Sequence, residues 1–237
     1  MPLHEALTAA LLILVPIAFN VAFFSLARAF DYPDILRRPT DEILRRFDAG
    51  GPGLILRWEA LLLSALAMLP LVALLSVTLA AAGGVKEVAL VLGVAAALVQ
   101  GLGLVRWPFA VPELARRWVA ADALDPTEAA AARLSIETTF VTLHRLLGVG
   151  IGEHLGYLFT GLWTLATGWS IVTTAPIPAW LGWLAVPIGL ALLVGTLEFA
   201  GRNERDGWPL AGQIVPIAYI AWSLWLIALG IALILNP

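Results

Sequence analysis

The chain has 237 residues, 60% of them hydrophobic and 13% charged, with mean hydropathy +0.90 and a formal net charge of -3. A soluble domain carries about a quarter charged residues, so this composition excludes an ordinary soluble protein. With no cysteine, disulfides, thiolate catalysis and Cys-ligated metals are excluded as well.

The apolar residues gather into runs of about 20, the length a bilayer core demands. Six spans are predicted, at 6–27, 56–82, 86–105, 149–174, 179–199 and 209–235. They form an all-α bundle, a single integral membrane domain over 1–237. No cleavable signal is expected: acidic Glu5 stands where a basic n-region belongs, and the first run is long for an h-region. After it, in RPTDEILRRF, Thr40 is expected to cap a short helix. Ile43, Leu44 and Phe47 share one face of that helix against Arg45 and Arg46, which suits an anionic leaflet. GGPG at 50–53 is expected to end it. The Gly83-Gly84 turn and the TAPIP stretch at 174–178 read as the bends of two tight hairpins. In DPTE, Asp125 is a good N-cap, Pro126 fits the first helical turn and Glu128 stands three residues after the cap. The helix it opens is expected to run through Phe140 and His144 into the fourth span.

The basic residues are one-sided. Those from Arg28 to Arg57, from Arg106 to Arg145, and Arg202 with Arg205 fall in alternate loops, thirteen of the fourteen in all; only Lys86 lies on the other side. The positive-inside rule then puts these loops in the cytoplasm and both termini outside, in a bacterial cytoplasmic (inner) membrane. Trp58, Trp107 and Trp208 are expected in one interfacial belt, and Trp169, Trp180 and Trp183 in the other. Trp163, Trp222 and Trp225 lie deeper and read as helix packing.

FDYPDILRRPTDEILRRF, followed by the glycine-rich break and a span, and LHRLLGVGIGEHLGYLFTGLWTL further on, resemble the bacterial membrane proteins grouped as domain of unknown function 4386. The resemblance covers most of the chain and implies a compact multi-span helical domain. It brings no substrate, cofactor or catalytic residue.

Gly148, Gly152 and Gly156 recur every four residues, and Thr160, Thr164 and Gly168 continue the row, with Gly161 off it. Small residues let helices approach closely in lipid. Gly93, Ala97 and Gly101 offer a matching stripe, so the third and fourth spans are expected to be the tightest pair. A phosphate-cradling loop is rejected, because it needs a preceding strand. Beside the glycines stand Glu153 and His154. At the α-helical pitch His154 points about 200° from Gly152, into the bundle interior. Asn20, Glu59, Gln100, Glu198 and Gln213 lie at similar depth, all in the cytoplasmic half, and together suggest a polar pocket opening there. The competing reading pairs Glu59 with Arg57 and Glu198 with Arg202 as structural ion pairs.

His4, His144 and His154 are the only histidines, and their placement excludes a three-His zinc site. No metal and no cofactor is assigned, although His154 with Glu59 and Glu198 is a chemically open combination. The basic loops lack interleaved aromatics, so nucleic acid is rejected. Three functional readings stand in order. The first is a small-ligand binder or transporter centred on His154. The second is a membrane partner or assembly subunit, hetero- or homo-oligomeric, with structural polar residues. The third is an intramembrane enzyme using Glu153 and His154 as acid and base.

Overall fold

The structure is a computed structural model describing residues 1–79, 84–173 and 177–236. Gly83 and the first three residues of TAPIP lie outside the described residues. Among the described residues all regular structure is helical, with no strand.

Helix α1 (Leu3–Phe30) ends at Asp31, whose left-handed backbone (φ 60) closes the helix with an N–H bond to Ala27 O. Helix α2 (Thr40–Leu66) is two helices in one. Gly51 takes φ 54, ψ -153, outside the range of ordinary L-residues, and Pro52 follows it. GGPG therefore redirects the helix rather than ending it. Thr40 is the first helical residue after Pro39 and makes no side-chain cap, contrary to expectation. The face carrying Ile43, Leu44 and Phe47 is 3%, 0% and 2% exposed. It is buried against the protein itself and is not available to a leaflet.

Helices α3 (Met68–Thr78) and α4 (Val85–Leu104) follow, then the short α5 (Arg106–Phe109) and α6 (Val111–Ala120). Helix α7 (Pro126–Leu143) starts as its sequence requires, with Asp125 accepting from the N–H groups of Thr127 (2.9 Å) and Glu128 (3.1 Å). It passes without a break into a π-helical segment (His144–Leu155) and then α8 (Gly156–Thr173). Helices α9 (Ala179–Gly195) and α10 (Pro209–Leu235) complete the bundle.

Four stretches are long and apolar enough to cross a membrane: Leu3–Phe30, Thr40–Thr78, Val85–Ala123 and Pro209–Leu235. They make this a membrane protein by length and composition. Helix α9 is apolar but shorter, at 17 residues, and α8 is diluted by threonine, glycine and tryptophan.

Two cores are stacked along the bundle. One lies away from the arginines, where Leu12, Leu71, Trp163, Ala185, Trp225 and Leu229 meet. Trp222 donates to Thr164 Oγ1 (3.0 Å) and Trp225 to Leu181 O (2.8 Å), the packing role expected of these deep indoles. The other core sits at the Arg-rich end, around Phe30, Ile35, Phe47, Trp58, Trp107 and Phe140. Trp58 and Trp107 stack at 4.3 Å with planes 6° apart, and each is almost fully buried. They are core residues, not members of an interfacial belt. Trp169, Trp180 and Trp183 are more than half exposed, as a belt requires.

Helices α8 and α9 also approach closely. A Cβ placed on Gly168 would lie 2.7 Å from Gly182 O, and one on Gly161 would lie 2.9 Å from Gly189 O. Gly161, off the expected stripe, therefore belongs to a close interface of its own. Gly101 faces Leu66 and Leu62 of α2 instead of the fourth span, and Gly93 meets Val72 and Trp163. The α4 contact with the π segment rests on Gly103, outside the expected stripe: its added Cβ would sit 2.5 Å from Gly152 Cα.

Candidate polar site at the π-helical segment

Glycine creates this site. Gly152 leaves the π segment free of a Cβ where it turns to α4, so backbone lies against backbone at Gly103. A π-helix bonds i to i+5, and such winding gathers at functional sites. The vacancy at Gly148 is filled by the Arg106 guanidinium, whose Nη2 would stand 2.5 Å from a Cβ there.

Arg106 is 6% exposed. Its Nη1 donates to Gly103 O, and its Nη2 lies 3.5 Å from His144 Nδ1. Its Nε has no hydrogen-bond partner, and it closes no ion pair among the described residues, in contrast to Arg38, Arg45, Arg46, Arg116, Arg117, Arg133 and Arg145. Glu153 lies within its electrostatic reach. Arg106, Arg37 and Glu198 all act on the Glu153 carboxylate, and Tyr32 and Tyr157 lie within its field. Glu153 too forms no hydrogen bond or ion pair among the described residues. Tyr219 of α10 joins Tyr157 with ring centroids 5.8 Å apart. The site thus draws on the loop after α1, the start of α5, the π segment, the turn after α9, and helices α8 and α10.

Two groups outside the expected spans show the local field. Burial, and then the Glu153 charge, push the Tyr32 hydroxyl up to about 12, with Arg106 opposing. Burial, and then Arg106 and Arg145, push His144 down to about 4, which keeps its ring neutral beside Phe140.

Several expected residues stand elsewhere. His154 is exposed, and its Nδ1 is 2.8 Å from Thr196 O at the end of α9. It is not the centre of an interior pocket. Glu153 takes that place, because the segment is wound as a π-helix and an α-helical phase does not apply to it. Gln213 is exposed. Asn20 is consumed in joining α1 to α10, donating to Pro16 O (2.7 Å) and Ser223 Oγ (3.0 Å). Gln100 donates to Thr160 Oγ1 (2.9 Å), with its stem against Gly156. Glu198 is buried at the edge of the site, in the field of Arg37 rather than paired with Arg202. Glu59 forms no ion pair with Arg57, which bonds Ser25 and Gly53 instead. Tyr32, Arg37, Arg106, Tyr157 and Tyr219 were not foreseen as site residues. Arg106 had one visible signal, its place directly at the end of an apolar run in LVRWPF.

Among the described residues no group of three His, Asp or Glu side chains is placed to hold a metal ion. The arrangement offers a buried cationic fork, a carboxylate and buried tyrosine hydroxyls within one another's electrostatic reach. That can bind a polar molecule carrying both charges, or hold a proton at Glu153. The family described as Domain of unknown function (DUF4386) matches residues 7–230. No curated protein and no solved structure matches the chain.

Proposed function

This chain belongs to the DUF4386 family, and we propose that it binds or carries a small polar ligand through the site between Arg106 and Glu153. The reading includes six spans in one integral domain, with the Arg-rich end in the cytoplasm of a bacterium and both termini outside the inner membrane. The one-sided arginines support that orientation. Helix α9 and the π–α8 run supply the two crossings beyond the four long apolar stretches.

A single observation carries the ligand reading. Arg106, with its Nε unpartnered, and Glu153 are groups of opposite charge type inside a membrane bundle, and among the described residues neither closes an ion pair. Unpaired charges held in such surroundings are costly unless something completes them. A zwitterion, with its anionic group at Arg106 and its cationic group at Glu153, does so. Acid–base catalysis by Glu153 with His154 has no such support, since the two side chains meet different neighbours.

The test is a melting panel on the purified protein with amino acids, dicarboxylates and diamines. A zwitterion should raise the melting temperature of the wild type and of His154→Gln, and leave Glu153→Gln unmoved. A panel that shifts Glu153→Gln as much as the wild type would end the reading. Orientation is tested separately. A cysteine at position 84 should react with a membrane-impermeant thiol reagent in intact cells, and one at 122 should not.

A further inference from the structure

An open groove of about 660 Å³ runs along α1 and the second half of α2, lined by Val21, Phe24, Ser25, Arg28, Ala29 and Arg57. It is separate from the Arg106–Glu153 site and does not depend on that reading. Both of its charges are positive. Arg28 makes no hydrogen bond or ion pair among the described residues. Arg57 donates from Nε to Ser25 Oγ (3.0 Å) and from Nη1 to Gly53 O (2.8 Å), which fixes its fork and leaves Nη2 free. No carboxylate lines the groove. Asp31, the acid nearest Arg28 in sequence, is engaged by Arg38 and Arg46. Glu59 is two residues from Arg57 on a helix, a spacing at which side chains do not face each other.

The helix dipole explains only one of the two cations. Arg28 lies in the last turn of α1, where positive charge is favourable. Arg57 lies in the second turn after the Gly51 break, beyond the reach of that helix start, so no dipole favours its charge.

We infer that this groove holds the headgroup of an anionic phospholipid, with its phosphate between Arg28 and Arg57 and its first acyl methylenes on Val21 and Phe24. Val21 and Phe24 are 65% and 56% exposed. From Val21 to Arg28 the helix rises about 10 Å, the step from upper acyl chain to phosphate depth. A free phosphate would satisfy the arginines and leave that apolar strip bare. A phospholipid covers both.

Native mass spectrometry of the full chain in detergent, with phosphatidylglycerol or phosphatidylcholine added, tests this. The wild type should retain phosphatidylglycerol roughly tenfold better than phosphatidylcholine, as two basic residues at an anionic headgroup imply. The double substitution Arg28→Gln with Arg57→Gln should erase the difference. Arg28→Lys, which keeps the charge and disturbs no hydrogen bond, should preserve most of it, and Arg202→Gln all of it. Equal retention of the two lipids by the wild type, or undiminished preference in the double variant, overturns the inference. So does complete displacement of phosphatidylglycerol by millimolar inorganic phosphate, which would assign the groove to a free anion.

Discussion

The α8–α9 hairpin and the Arg-rich end hold their helices together by opposite means. In the hairpin, glycine meets backbone: Gly161 lies against Gly189 and Gly168 against Gly182, with indole N–H groups bonded to Thr164 and Leu181. At the Arg-rich end, large rings fill the space, with Phe30, Phe47, Trp58 and Trp107 in mutual contact. Around them the first half of α2 is tied to α6 and its following turn. Asp122 accepts from Arg45 (2.7 Å and 2.9 Å) and from Arg133, while Asp41 accepts from Arg45 (2.7 Å) and Trp118 (2.8 Å). Lipid supplies no hydrophobic drive between helices, so the hairpin depends on close fit. The other end can use ring burial and charge, because its polar groups reach one another or water.

If that contrast is right, removing a ring should hurt most at the Arg-rich end. Trp107→Ala should cost about 3–5 kcal/mol, as for large buried aromatics. Trp169→Ala, on an exposed side chain, should change the melting temperature in detergent little. Comparable losses in the two variants would erase the distinction.

Acid should also act at that end. His144 has a folded pKa of about 4 against about 6.5 unfolded. The unfolded chain therefore binds more protons between those values, so stability is full above about 6.5 and declines as pH falls toward 4. The loss is at most about 3 kcal/mol, less whatever water shields at this half-buried ring. Melting of His144→Gln should be flatter than wild type across that window. An unchanged slope would remove His144 as its source.

The hairpin should respond to the smallest addition of volume. Gly168→Ala puts a methyl 2.4 Å from Ala185 Cβ and 2.7 Å from Gly182 O. It should destabilise by about 1–3 kcal/mol, the range of overpacked cores. Gly150→Ala meets only Arg145 O at 3.4 Å and should be close to neutral. Equal effects would mean that fit is no tighter at Gly168 than at Gly150.

Much of the helix plan is legible in the residues. The apolar runs at 6–27, 86–105 and 209–235 fall within a few residues of helices, and Asp125 with Pro126 marks the start of α7, because these signals are local. The site is less legible, because its phase depends on winding. His154 and Glu153 are neighbours, and a shift from α to π hydrogen bonding decides which one faces the bundle. The glycines of GVGIGEHLG permit that shift without announcing it. The aromatics of the Arg-rich end were hidden for another reason. Trp58 and Trp107 stand where interfacial tryptophans usually stand, and only the folding back of α2 over them puts them inside. Arg106 was counted for its charge, and its burial comes from the space left at Gly148.

The π segment also fixes the chain's tolerance to changes in length. The segment runs into α8 without a break, so deleting one residue between His144 and Leu155 would remove one step of helical rotation and turn all of α8 against α4 and α9. Thr160 would leave Gln100, Thr164 would leave Trp222, and Gly168 would leave Gly182. Insertions and deletions that survive should therefore spare this dozen residues and fall in the turns. The number of residues here sets the rotational register of half the bundle, independently of which residues they are.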